Sequence, residues 1–214
     1  EWTLTEDAAN IAQTTINGSS DTNGDDLQSV IYINSPEGEC IEPVIFGFTI
    51  TGGDGTLVTY EDEEGNEIQE RRGGGFYSNN ALPELHYNYI YNNKGTVDPI
   101  QEGGGTDIDF NERCEGDIDL SYNFYRENDA YYGNTLATNG YEGSLDMSYS
   151  IFDVYNCPEE EVTPVWVDVE EEVEVEFQYS AGDLCSITED VWVSPDGDDY
   201  LNTGTSAGNA FFTI

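Results

Sequence analysis

Pairs of aspartates two positions apart are the residues in this chain whose spacing could do chemistry. Asp107 with Asp109, and Asp117 with Asp119, would each project from one face of an extended strand. Two such carboxylates can divide the acid and base roles of glycoside hydrolysis when their surroundings separate their pKa values. Because 45 of the 214 residues are Asp or Glu, such pairs also arise on an ordinary solvated strand face. The sequence favours the solvated face.

Two loops carry closely spaced oxygen ligands of the kind that calcium binds. The first reads DTNGDD and the second SPDGDD. Neither has the length or the terminal glutamate of an EF-hand loop, and Asp-Gly turns also form without metal. Calcium is the one cofactor that the sequence predicts, with the candidate ligands Asp21, Asn23, Asp25, Asp26, Asp196, Asp198 and Asp199.

The overall charge limits the partners of the chain. Five Lys and Arg residues against 45 Asp and Glu residues give a formal net charge of -40. Such a surface repels itself at low salt, and the repulsion weakens as salt shortens the Debye length. It also repels phosphates, which excludes DNA and RNA as partners. No apolar run is long enough to predict a membrane span in this segment.

The cysteines are widely spaced, at Cys40, Cys114, Cys157 and Cys185. With no C-x-x-C pair and His86 as the single histidine, a zinc site is not expected. An even count in a chain of extracellular character permits two disulfides in any of three connectivities, of which Cys157 with Cys185 is the first choice. Four buried thiols are the alternative. His86 lacks a companion serine or cysteine motif and is expected to be an ordinary strand residue.

A repeated pattern predicts the elements that position these residues. A glycine cluster precedes a short strand, a turn follows, and a second strand carries a pattern of the form x-Y-N-x-x-x-x-N; the segments are 44–55, 73–95, 103–129 and 143–156. The two GGG clusters lie thirty residues apart. These spacings are typical of one turn of a solenoid with loops of variable length. The polar stretches 21–26 and 61–72 interrupt the pattern and are predicted to be long loops.

Polar residues recur at matching places in the repeats, at Asn88, Asn123 and Ser150. Such side chains can stack as a ladder in which each amide or hydroxyl bonds its neighbour one turn away. Isolated asparagines in turns are the alternative. The broken alternation around Asn88 also predicts a bend there, where a corner would reset which side chains face inward.

The strand DIDLSYNFY alternates more regularly. Ile118, Leu120, Tyr122 and Phe124 are predicted to share its buried face.

The segments VIFGFTITGG and GGGFYSNN, the latter followed by NYIYNN, resemble a known family. They are similar to right-handed parallel β-helix proteins of the pectate-lyase-like superfamily, in particular large secreted bacterial surface proteins with tandem modules. The resemblance covers roughly residues 14–156 and implies an all-β chain folded as a right-handed parallel β-helix, a solenoid. It also implies an extracellular or cell-surface location.

The resemblance also implies a division of the chain. Residues 1–161 are expected to form the coils, and 162–190 a last rung or a β linker. Residues 191–214 look like the opening of such a module, although they follow the coils here. We therefore expect them to begin a following module or to form a cap, which would make the chain an excerpt of a longer tandem protein, with a circular permutation as the alternative.

Many relatives with this fold cleave acidic polysaccharides, and lyases among them need a basic residue beside the substrate carboxylate. The cations of this chain are expected to pair with its surplus carboxylates instead; they are Arg71, Arg72, Lys94, Arg113 and Arg126. The sequence therefore favours an extracellular structural or adhesive scaffold module, of a repetitive cell-surface or filament-forming protein, over a catalyst. Its expected partners are neighbouring modules or copies of itself. The alternative is a carbohydrate-active enzyme or glycan-binding β-helix, in which exposed Tyr77, Tyr131 and Tyr132 line a groove.

Overall fold

The computed structural model describes residues 11, 13–18, 28–62, 64–94, 101–109, 114–152, 167–170, 172–177 and 194. The elements assigned in this part are short strands rich in β-branched and aromatic residues, which confirms the prediction of an all-β chain. The strands are β1 Thr15–Asn17, β2 Ile31–Asn34, β3 Val44–Phe46, β4 Thr49–Thr51, β5 Thr56–Glu61, β6 Glu67–Arg72, β7 Phe76–Asn79, β8 Glu84–His86, β9 Tyr89–Tyr91, β10 Gln101–Glu102, β11 Thr106–Asp109, β12 Ile118–Asp119, β13 Phe124–Arg126, β14 Leu136–Asn139, β15 Gly143–Asp146, β16 Ile151–Phe152, β17 Val167–Asp168 and β18 Val173–Glu176.

Parallel pairing organises most of these strands into three sets. The first sheet has the order β17-β14-β11-β7-β2, and the third has the order β1-β4-β9-β13-β16. Between them in chain order comes a second set, made of the pair β3-β8 and the sheet β12-β15-β18. Phe76 pairs with Thr106 and Thr106 with Leu136, thirty residues further along each time. Each pass of the chain therefore adds one strand to each set.

One face of every set contributes to a single hydrophobic core. In the third sheet Ile50, Ile90, Tyr125 and Phe152 stand in register, and all four are buried. In-register stacking places like side chains about 4.8 Å apart, one per strand. The core is therefore built from columns of apolar side chains that run across the strands.

Corner residues with positive φ reset which side chains face the core. Tyr122 has a φ of 59°, and beyond it Asn123 and Tyr125 are buried while Phe124 is only half-buried. The shared buried face predicted for this strand is therefore right for Ile118 and Leu120 and wrong for Tyr122 and Phe124. Tyr87, with a φ of 53°, makes the corresponding corner beside Asn88, where the bend was predicted.

The glycine clusters turn the chain into the first sheet. Gly103 has a φ of 64°, and a Cβ placed there would lie 2.5 Å from the Thr106 carbonyl oxygen and 2.6 Å from the Asp107 Cβ. Gly73 and Gly133 have similar positive φ values at the equivalent corners. A side chain at these positions would be strained and would clash, which is why glycine recurs there.

An antiparallel hairpin interrupts the repeat between the third and first sheets. It consists of β5 and β6, joined by a turn in which Asn66 N donates to Asp62 Oδ1 at 2.7 Å. Strand β6 then pairs in parallel with β10. The prediction of a long loop over 61–72 is wrong, because the alternating EIQERR segment forms a strand. The other predicted loop, 21–26, lies outside the described residues.

Strands β17 and β18 extend the first sheet and the second set, since Val167 pairs with Leu136 and Val173 with Gly143. Apart from Ser194, the predicted opening segment 191–214 lies outside the described residues. In the part that the structure describes, no helix is long and apolar enough to cross a membrane.

Candidate functional site

The residues predicted to form a polar ladder lie together where the chain passes from the second set of strands to the third sheet. Asn88 Nδ2 donates to Asn123 Oδ1 at 3.1 Å, and Asn123 N donates to Ser150 Oγ at 3.1 Å. All three residues are buried. The amides also serve backbone groups between strands: Phe48 N donates to Asn88 Oδ1 at 3.0 Å, and Asn123 Nδ2 donates to Leu85 O at 2.6 Å. The ladder thus satisfies buried backbone groups where sheet pairing is interrupted.

A second asparagine ladder, which the sequence reasoning missed, runs five residues further along each coil. Asn93 Nδ2 donates to Asn128 Oδ1 at 3.0 Å and to Ile50 O at 3.2 Å. Gly53 N donates to Asn93 Oδ1 at 3.1 Å, and Asn128 Nδ2 donates to Ile90 O at 2.9 Å. The signal was present in the recurring N-x-x-x-x-N spacing, whose second asparagine also marks a corner.

A column of aromatic rings covers the outside of the first ladder. The column consists of Phe46, Tyr87, Tyr122 and Tyr149. The distances between successive ring centroids are 5.0 Å, 5.2 Å and 4.9 Å. Each stacked pair contributes about 0.5–1.5 kcal/mol beyond its buried area. Tyr87 and Tyr122 have positive φ, which costs a non-glycine residue about 1–2 kcal/mol. The stacking of their rings offsets this cost.

A buried ion cluster ties the hairpin to the first sheet. We call it the arginine cluster; it consists of Arg72 and Glu70 on β6, Glu102 on β10 and Asp107 on β11. Arg72 Nη2 lies 2.5 Å from Glu70 Oε2, and Arg72 Nη1 bonds Glu102 Oε2 and lies 3.8 Å from Asp107 Oδ2. The Arg72 side chain is 3% exposed. One guanidinium therefore links three carboxylates from three strands.

Asp107 is the least solvated acid of this cluster. It is fully buried, and among the described residues neither carboxylate oxygen has a hydrogen-bond partner. Burial raises the pKa of Asp107 well above its ordinary value, and Arg72 only partly opposes the shift. Burial also raises the pKa of Glu102. The solvated face predicted for Asp107 is wrong, whereas Asp117, which precedes β12, is exposed.

Tyrosines extend the cluster along the outer face of the first sheet. The Tyr77 hydroxyl donates to Asp109 Oδ2 at 3.0 Å, and Tyr32 stacks on Tyr77 with ring centroids 5.0 Å apart. Burial, reinforced by Asp109 and Asp107, raises the pKa of Tyr77. Tyr77 is only 1% exposed, so its predicted place in an open groove is wrong.

Tyr131 and Tyr132 remain on the surface beside the cluster. They are 53% and 40% exposed, and their rings meet edge to face at 4.6 Å. Tyr132 pairs with Glu102 in an isolated bridge. Partial desolvation raises the pKa of Tyr132, with contributions from Tyr131 and the carboxylates of Asp168 and Glu102. The two exposed phenols thus lie beside the exposed Asp168 and the half-buried Glu102.

His86 lies in β8 between two carboxylates. Its Nε2 is 3.6 Å from Glu84 Oε2, and its Nδ1 is 3.8 Å from Asp119 Oδ1. Ser121 Oγ also faces Nδ1, at 3.4 Å. Glu84 faces the opposite ring nitrogen, but at 3.6 Å it lies beyond hydrogen-bond distance, so Ser121, His86 and Glu84 do not form the hydrogen-bonded relay of a nucleophilic serine. His86 on β8 instead contacts Asp119 on β12 and Ser121 just after that strand.

The other cations differ in their surroundings. Arg126 Nε lies 3.1 Å from Glu127 Oε1, whereas the buried Arg71 donates from Nη1 to Gly55 O at 2.8 Å. Arg113 lies outside the described residues, and Lys94 is exposed.

Among the described residues, a disulfide joins Cys40 to Cys114, which are 74 residues apart. The remaining cysteines, Cys157 and Cys185, are the pair predicted first; both lie outside the described residues, so that bond stays a prediction.

The predicted calcium ligands Asp21, Asn23, Asp25, Asp26, Asp196, Asp198 and Asp199 all lie outside the described residues. Within the part that is described, no group of three or more His, Cys, Asp or Glu side chains could hold a metal ion. Comparison of the chain with family models, with curated proteins and with solved structures finds no match.

Proposed function

We propose that the chain is a right-handed parallel β-helix module that acts as an extracellular structural or adhesive scaffold. Its family would be the pectate-lyase-like superfamily, of the secreted bacterial surface-protein type. The observation that carries this proposal is the continuity of equivalent positions from coil to coil. The strands pair in parallel. Two asparagine ladders and an aromatic column run across them, with one residue from each repeat. Such columns stiffen a rod, since each coil bonds mainly to its neighbours.

Two further features support an extracellular scaffold. The Cys40–Cys114 disulfide suits an oxidising compartment. The net charge of -40 favours assembly where salt or divalent ions screen the surface. Copies or neighbouring modules would then meet end to end, with calcium bridging acidic loops.

Self-association should therefore depend on ionic conditions. We expect an elongated monomer in about 0.01 M salt, where the Debye length is about 30 Å, and larger species in about 0.15 M salt, where it is about 8 Å. Calcium should promote association more than magnesium at equal ionic strength, because magnesium retains its waters. Sedimentation velocity and small-angle scattering measure both effects. A compact particle that stays monomeric in every condition would contradict the scaffold proposal.

The edge formed by Glu102, Asp168, Tyr131 and Tyr132 favours a second candidate, a glycan-binding or carbohydrate-active module. Aromatic faces stack on sugar rings, and carboxylates accept hydrogen bonds from hydroxyl groups. The negative charge favours neutral sugars over uronates.

Binding at this edge can be tested with neutral oligosaccharides and oligouronates, using tyrosine ring NMR signals. We expect Tyr132→Ala to abolish binding of neutral oligosaccharides and Tyr91→Ala, a half-buried residue of the third sheet, to preserve it. Absence of any shift in the wild-type spectrum with all tested sugars would remove this candidate.

A further inference from the structure

The hairpin is attached to the first sheet mainly at its base. Strand β6 pairs with β10 through only two residue pairs, Arg71 with Gln101 and Arg72 with Glu102. Just beyond them, Gly73 N donates to Glu102 O at 3.0 Å. The outer strand β5 pairs with β6 along its whole length. Ser29 also holds the base, since its Oγ donates to Arg72 O at 3.0 Å and accepts from Thr56 N at 3.2 Å. Docking therefore depends on a short ladder, on Ser29 and on the arginine cluster.

Negative charge is in excess around Asp107. The groups that face it are Arg72 and Glu70 on β6, Glu102 on β10, Asp109 on β11 and the phenol of Tyr77 on β7. Glu102 also faces Asp168 on β17 and the phenol of Tyr60 on β5, which donates to Glu70 Oε1 at 2.7 Å. With every carboxyl group ionised, four carboxylates share one guanidinium, which leaves three uncompensated negative charges. Such an excess is costly at Asp107, which is fully buried and whose nearest cation, Arg72, already pairs with Glu70 and Glu102.

We propose that the β5–β6 hairpin is a pH-sensitive strap, docked over the first sheet while the buried carboxyl groups of the arginine cluster hold protons and released as they ionise. The contacts place the switch at the hairpin base, where Asp107 lies beneath Arg72. Release would expose Asp107 on the outer face of the sheet.

The direction of the pH effect follows from proton binding. Burial raises the pKa values of Asp107 and Glu102 in the docked state, whereas in a released hairpin they would return to ordinary values of about 4. The docked state therefore binds more protons, and low pH favours it. Docking weakens as the pH rises from about 4 through the raised pKa values, then levels off. Each proton contributes up to about tenfold per pH unit.

Amide hydrogen exchange on the full chain tests this strap. Protection factors correct for the intrinsic pH dependence of exchange, so they report opening alone. We expect protection of the Gly73 amide, which donates to Glu102 O on β10, to fall above about pH 4 by up to about tenfold per pH unit for each group that ionises. The Tyr89 amide, which donates to Phe48 O at 2.8 Å in the third sheet, should keep its protection.

Neutral isosteres identify the responsible groups. Asp107→Asn should remove most of the pH dependence and keep the hairpin protected at high pH, and Glu102→Gln should reduce the slope. Asp146→Asn, a partly exposed carboxylate in the second set, is the matched control and should retain the wild-type slope. A flat wild-type profile would overturn the proposal. So would an unchanged slope in both Asp107→Asn and Glu102→Gln, or a parallel loss of protection at Tyr89.

Discussion

Replacing Arg72 with Met is expected to lower the free energy of unfolding by about 3–5 kcal/mol at neutral pH. The guanidinium is the cation shared by Glu70, Glu102 and Asp107, and its side chain is 3% exposed. Methionine matches much of its volume but leaves these carboxylates without a partner. Urea denaturation followed by circular dichroism measures the loss.

The pH dependence separates this electrostatic loss from a packing defect. Without Arg72, the carboxyl groups are protonated more readily, so the deficit should shrink as the pH falls toward about 4. A packing defect would persist at all pH values. Adding Asp107→Asn to Arg72→Met should recover part of the loss at neutral pH, because one buried charge is removed with the cation.

Arg126→Met is the matched control. Arg126 also pairs with a glutamate, but its side chain is 51% exposed and that of Glu127 is 60% exposed. Exposed ion pairs contribute about 0–1 kcal/mol. Equal losses for the two arginine variants would mean that burial of Arg72 does not decide its contribution.

Local periodicity made part of the fold predictable. Short alternating strands, glycine clusters thirty residues apart and asparagines at matching places all repeat within the printed sequence. These features correctly indicated an all-β chain and drew attention to Asn88, Asn123 and Ser150, which the structure brings into hydrogen-bond contact. They are readable because each depends on residues within one repeat or on a constant spacing.

The arginine cluster was not predictable in the same way. Its members come from β6, β10 and β11, and Arg72 of the hairpin lies 3.8 Å from the buried Asp107. The charge-rich segment 61–72 reads as a solvated loop until its pairing with β10 is known. Similarly, Tyr77 looks like a surface aromatic in the sequence, yet Tyr32 and Asp109 enclose it. Residues distant in the sequence decide whether Asp107 and Tyr77 are buried, so no local sequence pattern predicts it.

Replacing Asn123 with Ala is expected to lower the free energy of unfolding by about 3 kcal/mol or more. Each buried polar group that loses its partner contributes about 1–3 kcal/mol to this loss. Its Oδ1 accepts from Asn88 N at 3.0 Å, and its Nδ2 donates to Leu85 O at 2.6 Å and to Leu120 O at 2.7 Å. Truncation removes these bonds from two coils at once. The midpoint of urea unfolding should shift accordingly, whereas Asn139→Ala, on the half-buried outer row of the first sheet, should change it little.

Asn123→Asp distinguishes hydrogen bonding from shape. The carboxylate fills the same space and still accepts from Asn88, but it cannot donate to Leu85 O or Leu120 O and carries a charge into a buried corner. We expect a loss at neutral pH at least as large as that of the alanine variant, with partial recovery in acid, where the protonated carboxyl regains one donor. If aspartate were tolerated at neutral pH, the amide donors of Asn123 would not be needed to hold neighbouring repeats together. The rigidity attributed to the ladder would then have to come from the apolar columns alone.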